Sequence, residues 1–368
     1  MRLWDRFLHS FISPGLWVPF GSIVLGFLVG AIIMAFGGFN PFVAYAALMQ
    51  KAFGSPYNIG EMLREMTPLL LTGLSVAFAF RAGLLNIGTA GQMVMGSLGA
   101  ALVGVLVPLP PIVHAIVALF VGVLFGALWG SLVGYLKAYR GVNEVIAAIM
   151  LNWVALYFAN YVIRTAILDP QQKQRSLYVA SSARINADFL SALFQNARLS
   201  YGFLLALLMV YVFWFLLYRT RLGFELRAVG AGAEAAQYAG IRIGRQVIVT
   251  MFLSGAFSGL AGAIEVLGVY GYMTISTVHA SYGFDGIAVA LLGGATALGT
   301  LFSAFLFAVL SYGAAGMQFA ADVPLEVSRV VMAAILFFVA ASALVRSLYT
   351  VTLGRMRRGS LESEVNRS

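Results

Sequence analysis

The sequence predicts an all-α polytopic membrane protein of about ten transmembrane segments, with two short, broken or re-entrant segments in pseudo-repeated halves. Three observations lead there. Apolar residues make up 61% of the 368 and charged residues 10%, against roughly 45–50% and 25% in soluble domains. Mean hydropathy is +0.91, and apolar runs of about 20 residues, the length that spans a bilayer as helix, recur along the chain. Finally, glycine and polar side chains concentrate inside two of those runs rather than between them.

The first run, residues 16–36, follows MRLWDRFLHSFISPG. It exceeds the apolar core of about 7–15 residues found in cleavable signals, so it reads as an uncleaved first helix with a cytoplasmic N-terminus. The next runs are 67–80, 87–107, 112–136, 143–163, 201–218, 246–269, 283–293, 298–317 and 327–345. Charge sets their direction. Lys137 and Arg140, then Arg219, Arg221, Arg227, Arg242 and Arg245, then Arg346, Arg355, Arg357 and Arg358 all fall on one side of a ten-span chain. The positive-inside rule makes that side the cytoplasm. Residues 164–200 become an external loop, 219–245 a cytoplasmic loop and 346–368 a cytoplasmic tail, within one transmembrane domain over 1–368. The net charge of +9 follows from these flanking clusters and points to anionic lipid, not to nucleic acid.

Two runs, 67–80 and 283–293, are too short to cross about 30 Å at 1.5 Å per residue. Each adjoins a glycine-broken stretch. RAGLLNIGTAGQMVMGSLGA, residues 81–100, places Asn86, Thr89 and Gln92 among Gly83, Gly88, Gly91, Gly96 and Gly99; SYGFDGIAVALLGGATALG, residues 281–299, places Asp285 between Gly283 and Gly286. A broken helix frees N–H and C=O groups that lipid cannot satisfy, so such backbone faces protein or a water-filled cavity. Paired interruptions in two halves point to a transport path. Asn86 and Gln92 are expected to turn toward that water. Packing of small residues, with Asp285 capping a helix, is the alternative.

Other features divide between path and packing. A carboxylate at the centre of a span costs roughly 2.5–3.5 kcal/mol or more, so Glu265 in GLAGAIEVLGV needs a partner or a cavity. Asn152, two to three turns into GVNEVIAAIMLNWVA, is expected to face the bundle interior or path; Glu144, beside Asn143, fits a helix start. Trp153 and Tyr282 are candidate aromatic contacts for a solute. Gly122, Gly126, Gly130 and Gly134 recur every four residues and form a helix-packing strip. In the loop RTRLGFELRAVGAGAEAAQYAGIRIGRQ, residues 233–238 form a short helix between glycines, too poor in bulky apolar residues to lie on lipid. It reads as a docking element.

NIGTAGQM, GVNEVIAAIMLNW, ELRAVGAGAEAAQYAGI, SGLAGAIEVLGV and YGFDGIAVALLG, in this order, resemble the membrane permeases of ABC importers that serve ribose-type sugars, nucleosides and branched-chain amino acids. The similarity covers about residues 61–345 and is nearest the nucleoside and simple-sugar branch. It implies a permease domain in a bacterial inner membrane, paired with a second permease, an ATPase subunit carrying two cassettes and an external substrate-binding lipoprotein or protein. It also implies that the loop is a coupling element, with Glu225, Arg227, Glu234 and Tyr238 meeting the ATPase. The chain departs from the family at Ala90, where Glu is common, at Gly232, where Asn is common, and at residues 293–299, where GGATALG replaces a more polar stretch; a heterodimer whose partner carries these groups accounts for all three.

The expected function is thus translocation of nucleosides, with simple sugars such as ribose or galactose as the alternative. No Walker A motif occurs, so ATP and Mg²⁺ belong to the partner, and no cofactor is expected in this chain. The chain has no cysteine, and His9, His114 and His279 are scattered, which gives no metal cluster and no catalytic constellation. Asn86, Gln92, Asn152, Trp153, Glu265, Tyr282 and Asp285 are the candidate path residues. An ion-coupled transporter using Glu265 and Asp285 is the rival, and it predicts transport by this chain alone.

Overall fold

Each of the ten predicted segments meets a helix in the computed structural model, which describes residues 14–340. The predicted tail, 346–368, lies outside the described residues. The helices are α1 (Pro14–Phe36), α2 (Pro41–Phe53), α3 (Pro56–Arg81), α4 (Thr89–Leu106), α5 (Val113–Arg140), α6 (Glu144–Ala166), α7 (Asp188–Leu193), α8 (Tyr201–Arg219), α9 (Arg221–Ala231), α10 (Ala233–Tyr238), α11 (Ile243–Ile264), α12 (Tyr282–Leu292), α13 (Ala297–Ala321) and α14 (Leu325–Ala340). Among the described residues, seven helices are long and apolar enough to cross a membrane: α3, α4, α5, α6, α8, α11 extended by its last turn, and α13.

The described chain groups into two units. One contains α1, α2 to Lys51, the end of α13 from Gly313, and α14. Small residues set its spacing: a methyl on Gly26 would sit 2.7 Å from the Ile335 Cα, and one on Gly313 2.7 Å from Leu48 Cγ. The Tyr45 hydroxyl donates to the Phe27 carbonyl at 2.7 Å, which satisfies a polar tip among apolar helices.

The second unit, Ala52–Tyr312, is built on α11. The glycine strip of α5 lies on it: Gly126 approaches Gly255 and Gly259 of α11, and Gly134 approaches Ile248, so closely that added methyls would meet main chain. Small residues let helix backbones approach within van der Waals range where no water drives association. Asn143 caps α6 by accepting from the Val145 N–H at 2.8 Å, and Glu144 in the first turn pairs with Lys137 at 2.6 Å.

Two expectations change. The segment 67–80 is not a short half-helix but the end of α3, a continuous helix of 26 residues, about 39 Å at 1.5 Å per residue. Glu61, Arg64 and Glu65 look like a boundary in the sequence, yet they are carried inside the helix as pairs: Arg64 to Glu61 at 3.0 Å, Arg64 to Glu65 at 2.9 Å, and Arg198 to Glu61 at 2.8 Å. Paired charges tolerate burial that single ones do not. The loop 219–245 also contains a second helix, α9, whose Gly223, Leu226 and Val229 are buried at every third position.

Residues 167–200 form an ordered cover at the end of the second unit opposite the basic loops. The Ala180 N–H bonds the Gly104 carbonyl, Val179 bonds Gly271 and Ser176 bonds Met273, each at 2.8 Å. The Glu61 carboxylate fastens this cover to α3 by accepting from both the main chain and the side chain of Arg198, which also raises the pKa of the Arg198 guanidinium.

Candidate translocation site

The first break, residues 82–88, runs as non-helical chain between α3 and α4. Side chains satisfy backbone groups that the break frees, as burial in a bilayer favours. Asn152 of α6 clasps it from both ends: its Oδ1 accepts from the Gly91 N–H at 2.8 Å and its Nδ2 donates to the Ile87 carbonyl at 3.0 Å. Asn86 accepts from the Gly88 N–H at 2.9 Å and exchanges amide hydrogen bonds with Gln92 at 2.9 and 3.1 Å. It also donates to Ser254 at 2.6 Å, and Ser254 and Ser75 each donate a hydroxyl to the other's carbonyl. This network joins α3, the break, α4 and α11.

The second break meets the first. Thr89, at the start of α4, donates to the Gly283 carbonyl at 2.6 Å, and Thr72 of α3 donates to the Tyr282 carbonyl at 2.9 Å. A methyl on Gly283 would lie 2.5 Å from the Ala90 Cα. The N-termini of α4 and α12 therefore pack directly on each other, and a glycine is required for that approach.

Beside this junction is a cavity of about 410 Å³, within the range of roughly 300–1,000 Å³ seen for small-molecule sites. Ala90, Met93, Val94 and Ser97 of α4 form one wall, Leu156 and Asn160 of α6 another, and Glu265, Tyr270, Tyr272, His279 and Tyr282 contribute polar and aromatic groups. Glu265 opens a π-helical turn, Glu265–Tyr270, at the end of α11. Turns of this kind are rare and concentrate at functional sites. The widened turn leaves the Leu267 carbonyl to accept from the Ile185 N–H at 3.1 Å, and closes when the Gly271 N–H, at φ +75°, bonds the Val266 carbonyl at 2.8 Å. Glu265 is 5% exposed, and its Oε1 has no hydrogen-bond partner among the described residues.

Residues 58–340 match the family described as the permease component of the branched-chain amino acid transport system. The chain belongs to this family. It is 43% identical over 329 residues to the guanosine ABC transporter permease protein NupP of Bacillus subtilis, covering 89% of this chain and 94% of that one. It is 38% identical to the nucleoside ABC transporter permease protein NupB of Lactococcus lactis, covering 88% and 90%, and 30% identical to a glucose ABC transporter permease of Haloferax volcanii, covering 94% and 93%. No solved structure matches the chain.

The permease brings together some of the residues its sequence singles out and separates others. Glu265 and Tyr282 line the cavity. Asn86 and Gln92 do not turn toward water: both are fully buried and bonded to each other, and neither lines the cavity. Asn152, 2% exposed, is committed to the break. Trp153 stands behind the cavity, edge-on to His279 at 4.9 Å. Asp285 sits in the first turn of α12, where a carboxylate suits the helix dipole. His279, whose Nε2 donates to the Asn152 carbonyl at 3.0 Å, was not anticipated; its only sequence signal is a polar stretch directly after Glu265 and its turn.

The four loop residues split in two. Glu225 pairs with Arg221 at 3.0 Å and accepts from Gln246, which joins α9 to α11. Arg227 donates to the Leu217 carbonyl at 3.1 Å and lies over the Tyr218 ring, which joins α9 to α8. Glu234 is exposed on α10, and Tyr238 is 94% exposed. The loop bears directly on the first break, since a methyl on Gly230 would lie 2.5 Å from the Arg81 carbonyl oxygen and 2.9 Å from the Gly83 nitrogen. Arg81 reaches on to the second, donating to the Ala295 and Gly294 carbonyls at 2.7 and 3.1 Å. Sequence reading missed Arg81, which looks like an ordinary basic flank.

Proposed function

We propose that this multi-pass permease forms the nucleoside path of an ABC importer. The observation that carries the reading is the identity of 43% and 38%, over nearly nine-tenths of the chain, to permeases named for guanosine and nucleoside transport. Its partners are an ATPase subunit with two cassettes, a second permease and an external substrate-binding lipoprotein or protein. ATP and Mg²⁺ bind on the ATPase. The complex lies in a bacterial cytoplasmic membrane with both termini of this chain inside, and the basic residues beside α5 and α8 to α11 support that direction.

The mechanism is alternating access. The exposed α10 seats on the ATPase, and closure of the cassettes moves α9. Because Gly230 touches the Arg81 main chain and Arg81 holds the 294–295 turn, one displacement reaches both breaks. Their N-termini separate or close beside the cavity, which exposes it to alternate sides. Asn86, Gln92 and Asn152 keep the break intact through the cycle, and the cavity needs only weak contacts because tight binding would prevent release. The glucose permease at 30% identity keeps simple sugars as a second reading, since both solute classes present ring hydroxyls.

The experiment is uptake of radiolabelled guanosine, uridine, ribose and glucose into proteoliposomes that hold the permeases, with the ATPase and binding protein added or omitted. ATP-dependent nucleoside uptake by the full assembly alone is the expected result. Sugar uptake without nucleoside uptake selects the second reading. Uptake by this chain alone, driven by an ion gradient, overturns both.

A further inference from the structure

We infer that Glu265 forms a subsite for the vicinal hydroxyls of ribose, so that the permease itself selects ribonucleosides over their deoxy forms. This rests on the nucleoside reading above. Three of the cavity's other polar side chains are committed to the protein's own main chain. Ser97 donates to the Gly262 carbonyl at 3.0 Å. Both ends of the Asn160 amide engage Ser276, at 2.7 and 3.2 Å, and the Ser276 hydroxyl donates to the Val278 carbonyl at 2.7 Å. Glu265 is different: the residue lines the cavity, and its buried Oε1 accepts from nothing among the described residues.

A carboxylate accepts and cannot donate while ionised. The partner that fits it is a solute with O–H donors, and a cis diol offers two to the two carboxylate oxygens. Such charge-assisted bonds are about twice as strong as neutral ones. The rings of Tyr270, Tyr272 and His279 line the same cavity and give a nucleobase an apolar, aromatic surface. A sugar hydroxyl at Glu265 and a base among these rings lie within one space of about 410 Å³.

The test uses the reconstituted full assembly, with the binding protein loaded to saturation by uridine, 2′-deoxyuridine, 3′-deoxyuridine or 2′,3′-dideoxyuridine, so that external capture is equal. Wild type is expected to transport uridine about tenfold faster than the dideoxy form, the scale of one charge-assisted hydrogen bond. Glu265→Gln, which keeps shape and removes charge, is expected to lower uridine uptake and bring the ratio close to one. The wild-type solute series decides the matter even if the variant does not assemble. Equal wild-type uptake of uridine and dideoxyuridine overturns the subsite and leaves the importer reading standing, as does an unchanged ratio in the variant. Absence of ATP-dependent uptake of every nucleoside overturns the reading beneath it.

Discussion

Gly230→Ala tests the contact through which the loop reaches the breaks. In an exposed helix this change ordinarily stabilises by about 1 kcal/mol, because alanine loses less backbone entropy. Here the new methyl would stand 2.5 Å from the Arg81 carbonyl oxygen and 2.9 Å from the Ala82 carbonyl carbon and the Gly83 nitrogen. All three are main-chain atoms, so no side chain can swing away. Relief requires α9 to withdraw, and overpacking of this kind costs about 1–3 kcal/mol. The net effect is a penalty of up to about 2 kcal/mol on the docked arrangement, roughly 30-fold in its population at 1.4 kcal/mol per factor of ten. The loss falls at one contact between loop and break, so ATP hydrolysis is expected to persist while solute moved per ATP falls several-fold. Uptake and phosphate release measured in the same proteoliposomes give that ratio. A wild-type ratio together with a raised melting temperature would falsify the coupling route, because it would mean that Gly230 is only a helix residue.

Arg81→Lys is expected to lower transport nearly as much as Arg81→Ala, since one ammonium cannot reproduce the fork that reaches Ala295 and Gly294; full activity in the lysine variant would show that charge alone suffices. Asn152→Ala leaves the Gly91 N–H and the Ile87 carbonyl unpaired. At about 1–3 kcal/mol for each orphaned buried group, stability is expected to fall by about 2–6 kcal/mol, read as a lowered melting temperature in detergent, and an unchanged melt would mean that the break finds other partners. Arg198→Ala strips the 2% exposed Glu61 of its side-chain partner in the 167–200 cover. The Arg198 side chain is 53% exposed and Glu61 keeps Arg64 at 3.0 Å, so the loss is that of a solvent-screened pair, about 1 kcal/mol, and modestly faster proteolysis within 167–200 is expected; equal cleavage rates would show that the backbone bonds hold the cover without the pair.

Much of this molecule is legible in its residues. Spanning character follows from composition, because only lipid accepts so apolar an exterior. The breaks follow from glycine and amide residues at membrane depth, and α10 appears in the sequence at the bounds it takes in the structure, Ala233–Tyr238, because glycine and helix-forming residues are local signals. The packing strip on α5 and the cap at Asn143 are local in the same way.

What tertiary structure decided is which polar groups meet. Asn86 and Glu265 carry the same sequence signal, an intramembrane polar side chain, and their surroundings are opposite. Asn86 finds Gln92, Ser75 and Ser254, the last 168 residues away; Glu265 lines a cavity and has a buried oxygen left over. Arg64 and Glu61 look like the edge of a span until Arg198 arrives from the 167–200 cover. Sequence fixes the cost of placing each group in the membrane, since that depends on the side chain alone. Whether the cost is met by a neighbour or left for a solute depends on helices brought together from distant parts of the chain.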